Sequence, residues 1–344
     1  MSRHVRTLLA AVAGVLLVTG CTAEAEAPPA TPPALSKPEA RKVLTTYATT
    51  LNQARAKEST EDLQAAQTDT LLLLEHGRML ASKKLKPPPV PAAGTRHRRV
   101  AARAPAAPQP PVTFTEPKFF IPRLKGYPKW FAVLAMETGS RQREAMVFVR
   151  KNAQSGWRGA YSVGVHPDAP MSPKLDKQGY AEALPAGQGG LVVTPAAIAK
   201  AHADANQNGK ASRLGTVLRP SRWTANLFDT TTADRLEATR LGFTYARNYH
   251  PSGYPVFALR AADGGALVWY AVGDELAVTK NPETPRGRWI APSSDIADLL
   301  GKDRIYDTFQ ASTIREYLAT VPVKGKGQAH AIGAEGGPVG GYGN

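Results

Sequence analysis

The chain has 344 residues, 42% of them hydrophobic and 21% charged, and its formal net charge at pH 7 is +15. This length suggests about two domains, each large enough for a hydrophobic core of its own. The single cysteine, Cys21, excludes an intrachain disulfide and a zinc site built from cysteine thiolates.

Residues 1–21 have the pattern of a bacterial lipoprotein signal. Arg3 and Arg6 precede an apolar run over residues 8–18, which is shorter than the roughly 20 residues of a membrane-spanning helix. The run ends in Val18, Thr19, Gly20 and Cys21, and this sequence resembles a lipobox. The resemblance implies cleavage before Cys21, a diacylglycerol on its thiol and a further acyl chain, such as palmitate, on the new amino terminus.

Lipidation would anchor the chain firmly, because two or three acyl chains each contribute about 0.8 kcal/mol per buried methylene. The predicted location is the extracytoplasmic face of the cell membrane. Two alternatives stay open: a cleaved secretory signal in which Cys21 is incidental, and an uncleaved anchor. If Cys21 is lipidated, the mature chain has no cysteine nucleophile.

A tether and two helices are predicted next. Residues 21–34 are rich in alanine, proline, glutamate and threonine, a composition typical of a disordered tether. Ser36 and Glu39 fit a capping box, so they predict a helix with an apolar stripe that continues to Leu51. A second helix is predicted over about residues 60–82.

A basic, proline-rich segment, residues 86–111, interrupts the regular patterns and is predicted to be disordered. Seven cations lie in or beside it, with no acid between residues 83 and 111: Lys83, Lys84, Lys86, Arg96, Arg98, Arg99 and Arg103. These cations either bind anionic headgroups and wall polymers or keep a spacer solvated, and the second interpretation is favoured. The segment lacks interleaved aromatic residues, which argues against nucleic acid as a partner.

Period-two apolar segments predict antiparallel strands in both halves of the remaining chain. In the first half they cover about residues 112–121, 130–136, 145–149 and 157–165. In the second half, a helix capped by Thr194 and Pro195 precedes helical turns within 213–240 and strands near 243–249, 255–262, 266–278, 313–322 and 328–335.

The two halves share an internal repeat. Phe114-Thr115 followed by Gly126-Tyr127-Pro128 recurs as Phe243-Thr244 followed by Gly253-Tyr254-Pro255, and the two Gly-Tyr-Pro motifs lie 127 residues apart. A strand, a turn and a second strand follow in each half. Two copies of one domain would produce this order, and chance agreement of aromatic-rich strands is the alternative.

This order of elements resembles the nuclear-transport-factor-like, or cystatin-like, fold, and the chain is similar to an uncharacterised lipoprotein family of high-GC Gram-positive bacteria. The resemblance implies an α+β fold of two tandem cystatin-like cones, each with N-terminal helices packed on the concave face of a curved antiparallel sheet. The regions are a signal peptide at 1–20, a tether at 21–34, a first domain at 35–166 with the insertion 86–111, a linker at 167–190, a second domain at 191–335 and a loose glycine-rich tail at 336–344. Such cones host enzymes and binding modules alike, so no catalytic residue is transferred.

Common catalytic motifs are missing from the sequence. It has no Gly-x-Ser-x-Gly elbow, Ser-x-x-Lys, His-Glu-x-x-His or phosphate loop, and its histidines lack metal-ligand spacing. Asp204, Asn206 and Asn208-Gly209 match the front of an EF-hand loop, but Gly215 stands where the bidentate glutamate is required. A helix cap is therefore favoured over calcium, and no catalytic residue, metal or cofactor is predicted.

If a cone encloses a pocket, polar residues on its inner face become candidates for binding or proton transfer. The wider set is Tyr47, Glu75, His76, His202, Asp204, Tyr245 and His250. Within it, His202, Tyr245 and His250 are the preferred pocket residues. The alternative is that these side chains are core, capping or solvated residues.

The sequence favours a non-enzymatic binding or scaffold module that is anchored through its lipid at the cell envelope. Its expected partner is an envelope protein or an anionic wall polymer. A small-molecule enzyme or ligand carrier that uses a cone pocket is the alternative. A buried pair of a histidine and a carboxylate would favour that alternative, and a filled interior would favour binding.

Overall fold

The computed structural model describes residues 31–84, 111–224 and 226–344. The four lipobox residues Val18, Thr19, Gly20 and Cys21 lie outside these ranges, as do most of the predicted tether and nearly all of the basic segment. Residues Pro32–Asn344 form one compact unit.

The first helix begins where the capping box predicts. The Ser36 hydroxyl accepts from the Glu39 N–H at 3.3 Å, and the Glu39 carboxylate accepts from the Ser36 N–H at 2.7 Å. Both halves of the box are therefore formed, and α1 (Lys37–Lys57) follows. It ends at Glu58, whose φ of 51° is left-handed.

The single helix predicted over 60–82 is two helices, α2 (Thr60–Ala66) and α3 (Asp69–Lys84). The helix breaks at Gln67 and Thr68 because these residues bond to other elements. The Thr68 N–H donates to the Gly159 carbonyl at 2.9 Å, and the Gln67 amide donates to the Tyr47 hydroxyl at 3.1 Å. These bonds are tertiary, so the local helical pattern does not reveal them.

The four strands predicted in the first half are confirmed. They are β1 (Phe114–Phe120), β2 (Lys129–Glu137), β3 (Arg143–Arg150) and β4 (Arg158–Val165), each antiparallel to the next.

The second half contains three helices and five strands among the described residues. They are α4 (Ile198–Asn208), α5 (Asn226–Arg240), β5 (Phe243–Pro251), β6 (Phe257–Arg260), β7 (Ala266–Lys280), α6 (Ser294–Leu300), β8 (Thr308–Val321) and β9 (His330–Gly343). The predicted cap at Thr194 is wrong. The Thr194 carbonyl accepts from the Ala197 N–H in a turn, and α4 begins only after Ala197. The short helix α6 was not predicted.

The glycine-rich end of the chain is a strand, so the prediction of a loose tail at 336–344 is wrong. β9 pairs with β8 as far as Gly343 opposite Phe309. A Cβ atom at Gly336 would lie 2.8 Å from the Ile314 carbonyl oxygen, and one at Gly341 would lie 2.7 Å from the Gln310 carbonyl oxygen. Glycine at these positions permits close approach of the two strands. Composition alone predicts a loose segment here, because glycine is also common in flexible tails.

The strands of both halves lie in one sheet, in the order β1-β2-β3-β4-β9-β8-β7-β5, with β6 also paired to β7. The two half-sheets join where Val165 of β4 pairs with Gly333 of β9, and we call this join the seam. The α+β class is confirmed, whereas two tandem cystatin-like cones are not. The internal repeat and the domain boundaries stay predictions.

One hydrophobic core lies between the two half-sheets. The rings of Trp130 on β2 and Phe257 on β6 are 5.2 Å apart, and the Trp269 indole on β7 donates to the Ala145 carbonyl on β3 at 3.1 Å. These strands are distant in the sheet order, so the sheet bends and its two halves pack face to face.

The helices lie on the opposite faces of the half-sheets. On α1, the Tyr47 ring is 5.1 Å from that of Phe148 on β3, and on α4 the His202 ring is 5.9 Å from that of Tyr270 on β7. The layers are therefore helix, sheet, sheet and helix. The expected packing of helices on a concave inner face is replaced by helices outside two facing half-sheets.

Helix α3 crosses the seam. It packs on β4, β8, β9 and α6. A side chain at Gly77 would collide with the Pro338 carbonyl of β9. Glycine at this position lets the helix lie directly on the strand.

Candidate functional site

A cleft of about 300 Å³ opens at the surface beside the seam. Three segments form it: residues 166–170 after β4, residues 221–223 before α5 and residues 330–332 at the start of β9. Its polar and aromatic lining consists of His166, Asp168, Ser221, Arg222, Trp223 and His330. We call this feature the seam cleft.

The turn that carries Arg222 and Trp223 is fixed by its own hydrogen bonds. The Ser221 N–H donates to the Thr224 hydroxyl at 2.9 Å, and the Trp223 N–H donates to the Ser221 hydroxyl at 3.2 Å. The Thr224 hydroxyl donates to the Arg219 carbonyl at 3.0 Å. The turn is pre-organised, and the Arg222 guanidinium lies 4.1 Å from the centre of the Trp223 ring, within range of a cation–π interaction.

The side chain of His202 on α4 supports this turn from the protein interior. Its side chain is fully buried, with Nε2 3.0 Å from the Trp223 carbonyl and Nδ1 3.0 Å from the Tyr270 hydroxyl. A carbonyl only accepts, so Nε2 carries the proton and Nδ1 accepts from Tyr270. Nε2 therefore positions Trp223, the bond from Tyr270 to Nδ1 holds the ring in place, and His202 is a positioning residue of the cleft.

Burial lowers the pKa of His202 to about 4, against the ordinary value of about 6.5. A histidine with a lowered folded-state pKa contributes stability that is present above pH 6.5 and is lost as the pH falls through 4. His202→Phe should remove this pH dependence. At pH 7 it should also cost about 2–4 kcal/mol in the free energy of unfolding, because the Tyr270 hydroxyl and the Trp223 carbonyl lose their partner.

Urea unfolding of the variant at pH 7 and pH 5 measures both effects. His250→Phe is the matched control, since His250 is exposed and bonds only to the carbonyl of the next residue, Pro251, at 3.0 Å. Its expected change is within about 0.5 kcal/mol. Equal losses in the two variants would contradict the positioning role.

Two further histidines, His166 and His330, belong to the cleft lining. His166 is exposed, and its Nδ1 accepts from the Asp168 N–H at 3.2 Å, which leaves Nε2 as the protonated nitrogen of the neutral ring. Burial and the nearby Arg219 lower the pKa of His330. Arg222 is therefore the permanent cation of the lining and Asp168 its acid.

A separate buried ion cluster lies on the helix-facing side of the second half. Asp274 on β7 accepts from Arg247 of β5 at 2.8 Å and from Arg315 of β8 at 3.0 Å. The Asp274 side chain is only 2% exposed. The cluster ties three strands together through one carboxylate.

The three preferred pocket residues do not converge. His202 is buried under the cleft, the Tyr245 hydroxyl lies 3.5 Å from an Asp234 carboxylate oxygen, and His250 is exposed on β5. In the first half, Glu75 is paired with Arg55, and Tyr47 is a buried core residue. Only His202 borders the cleft.

The EF-hand-like motif is a helix end. Asp204 accepts from the Asn208 amide and from the Leu214 N–H at 2.9 Å, and Gly209 ends α4 with a positive φ of 52° and a ψ of −126°, which is not the αL conformation expected of the cap. The interpretation of the motif as a helix end is confirmed. Within the part of the chain that the structure describes, no group of three or more histidines, cysteines or acids is arranged to hold a metal.

Sequence reasoning missed Arg222 and Trp223 as site residues. His166 and His330 are among the histidines that lack metal-ligand spacing, and they lie 164 residues apart in the sequence. The pairing of β4 with β9 brings their segments together. The cluster Arg-Pro-Ser-Arg-Trp at 219–223, a loop with two cations and an aromatic residue, was the available local signal.

The chain matches, over residues 31–341, a family model described as a domain of unknown function, DUF8094. It is similar to an uncharacterised lipoprotein of Streptomyces coelicolor, with 28% identity over 243 residues, covering 69% of this chain and 66% of the relative. An uncharacterised lipoprotein of Streptomyces avermitilis is 28% identical over 245 residues, covering 69% and 65%. A further S. coelicolor lipoprotein is 28% identical over 295 residues, covering 78% and 76%. No solved structure matches the chain.

The match spans just under two thirds of the length of the first two relatives. Their description as lipoproteins agrees with membrane association through a lipid anchor. Across residues 31–84, 111–224 and 226–344, none of the helices combines the length and apolarity needed to cross a bilayer. The family model covers nearly the whole chain, which therefore belongs to the DUF8094 family, a lipoprotein family of high-GC Gram-positive bacteria.

Proposed function

We propose that this chain is a lipid-anchored binding module on the extracytoplasmic face of the membrane, and that the seam cleft is its ligand site. The observation that carries the proposal is the seam cleft itself: a pre-organised surface turn presents Arg222 and Trp223, and a buried histidine, itself held by Tyr270, bonds to the Trp223 carbonyl of that turn. This arrangement supports recognition of a ligand without a chemical step. Rigid presentation of an aromatic ring and a cation reduces the entropy lost on binding.

The lining favours an anionic ligand. Arg222 offers guanidinium N–H groups, Ser221 a hydroxyl and His166 a ring N–H, whereas Asp168 is the single acid of the lining. The formal net charge of the full sequence is +15, and loss of Arg3 and Arg6 with the signal would leave it strongly positive, which adds a long-range attraction for anions. An anionic wall polymer fits these features better than an uncharged one does.

A small-molecule enzyme or ligand carrier is the second candidate, and one contact favours it. His166 Nδ1 lies 3.6 Å from an Asp168 carboxylate oxygen inside the cleft. If the ring proton moved to Nδ1 and were directed at Asp168, Nε2 would be free to act as a general base on a substrate positioned beside it. Turnover of a bound ligand, abolished by His166→Gln and not by His250→Phe, would favour the enzyme.

Binding can be tested by isothermal titration of the full chain in detergent with glycerol-phosphate teichoic acid, and with dextran as an uncharged polymer. Arg222→Ala and Trp223→Ala should each weaken teichoic acid binding at least about tenfold, equivalent to about 1.4 kcal/mol. Arg240→Ala is the matched control, because Arg240 is exposed on α5 and pairs only locally with Glu237. Its affinity should equal that of the wild type.

The basic segment is a second place where an anionic polymer can bind. Titrations are therefore repeated on a chain that lacks residues 87–110. If the cleft is the site, this deletion preserves the difference between wild type and the two cleft variants. Equal affinities of wild type, Arg222→Ala and Trp223→Ala in both backgrounds would contradict the cleft as the binding site.

A further inference from the structure

A glutamate is buried in the seam without a cation in contact. Glu316 on β8 is fully buried under α3. One carboxyl oxygen lies 2.6 Å from the Thr70 hydroxyl on α3, and the other accepts from the Ser162 N–H on β4 at 2.9 Å. Within the described residues, Glu316 takes part in no ion pair.

The hydrogen bonds of Thr70 determine where a proton must lie. The Thr70 hydroxyl is also 3.2 Å from the Ala160 carbonyl, which can only accept. Ala160 is the extra residue of a bulge in β4, since Tyr161 pairs with Val147 and Gly159 pairs with Phe148. Thr70 has one proton, so it cannot donate to both the Ala160 carbonyl and Glu316. If Glu316 carries a proton and donates it to Thr70, all three groups are satisfied.

The charges around Glu316 favour its neutral form. On β3, Glu144 accepts from the Ser162 hydroxyl at 2.8 Å, and on β9 Glu335 stands directly opposite Glu316. Arg78 of α3 acts on Glu316 in the opposite sense, but its guanidinium pairs with Glu75 and Glu335. The negative charge of Glu335 therefore disfavours the ionised form of Glu316, and the attraction of Arg78 is shared by other carboxylates.

The same surroundings raise the pKa values of Glu316 and Glu144. Burial raises the pKa of Glu316 to about 8. Burial also raises the pKa of Glu144 to about 7. Both directions follow from removing a carboxylate from water without a direct cationic partner.

We propose that Glu316 is a neutral carboxylic acid that closes the seam by donating to Thr70, and that its ionisation loosens α3 from β4 and β8. The seam is then a pH-sensitive joint. It borders the cleft, because the residues that pair at the seam, Val165 and Gly333, directly adjoin the cleft segments 166–170 and 330–332. This inference does not depend on the proposed ligand.

The direction of the pH effect follows from linkage. The folded-state pKa lies above the ordinary value of 4.5. The stabilising contribution is therefore complete below pH 4.5 and is lost as the pH rises through about 8. The seam should be tightest in mild acid and weakest in alkali.

The test is Glu316→Gln in the full chain, because a glutamine amide donates to Thr70 and accepts from Ser162 without titrating. Between pH 5.5 and 8.5, the melting temperature of the wild type should fall relative to that of the variant by at least about 4 °C. Glu61→Gln is the control, since Glu61 is exposed on α2, away from the contacts of Glu316, and should leave the wild-type difference in place. Parallel pH profiles of wild type and Glu316→Gln would overturn the proposal.

Infrared spectroscopy detects the proton on Glu316 directly, so this test does not require the Glu316→Gln variant to fold. In a Glu144→Gln background, the carbonyl stretch of a protonated carboxylic acid should be present at pH 6 and vanish by pH 10. Thr70→Val should shift that band toward the position of an unbonded acid, whereas Thr70→Ser should leave it unchanged. Absence of the band at pH 6, or the same band in Thr70→Val and Thr70→Ser, would overturn the proposal.

Discussion

Asp274→Asn is expected to lower the free energy of unfolding by about 3–5 kcal/mol, because it leaves two guanidinium groups without their shared carboxylate. The Asp274 side chain is 2% exposed, and those of Arg247 and Arg315 are 10% and 25% exposed. Asparagine has the same shape but no charge. The loss of stability therefore comes from repulsion between the two guanidinium groups and from the loss of their anionic partner, and not from a cavity.

Urea unfolding at pH 7 measures this loss. Glu237→Gln is the matched control, since the Glu237–Arg240 pair has a similar distance of 2.7 Å but lies on the exposed surface of α5. An exposed pair of this kind contributes at most about 0.5 kcal/mol. If both variants lost the same stability, the Arg247–Asp274–Arg315 cluster would have no special role in joining β5, β7 and β8.

The second large effect concerns the anchor. Cys21→Ala is expected to move nearly all of the protein from the membrane fraction to the soluble fraction or the medium, or to stall its processing, because it removes the thiol on which the lipobox predicts a diacylglycerol. An anchor of two or more acyl chains is stable, whereas the chain without them has only weak surface attraction. Cell fractionation with immunoblotting measures the distribution.

Thr22→Ser is the control for this experiment, because it changes the neighbouring residue without touching the thiol. Its distribution should match that of the wild type. Mass spectrometry of the amino-terminal peptide then shows whether Cys21 carries acyl chains. Tight membrane association of Cys21→Ala would mean that another part of the chain anchors the protein.

Local elements were predictable where their cause is local. The capping box of Ser36 and Glu39 lies within four residues, and it formed as expected. The apolar runs of β2 and β3, which are buried on both faces, carry their signal in their own side chains. The break between α2 and α3 was not predictable, since Thr68 bonds to Gly159, a residue 91 positions away in the sequence.

The candidate site was predictable only in part. His202 was selected from the sequence for its chemistry, and the structure makes it the support of the Trp223 turn instead of a group open to a ligand. The two other preferred residues, Tyr245 and His250, lie elsewhere on β5. Residues of the cleft come from three segments, and no local pattern says that these segments meet.

The sequence by itself determined the α+β class, the lipobox pattern, the first helix cap and the strands of the first half, because each depends on neighbouring side chains and backbone propensity. Only the tertiary structure decided that the two half-sheets join and face each other, that the glycine-rich end is a strand, and that His202 supports the seam cleft. Those features depend on pairing between distant segments, such as Val165 with Gly333. Pairing of this kind is selected by the burial of whole faces, which a single stretch of sequence does not encode.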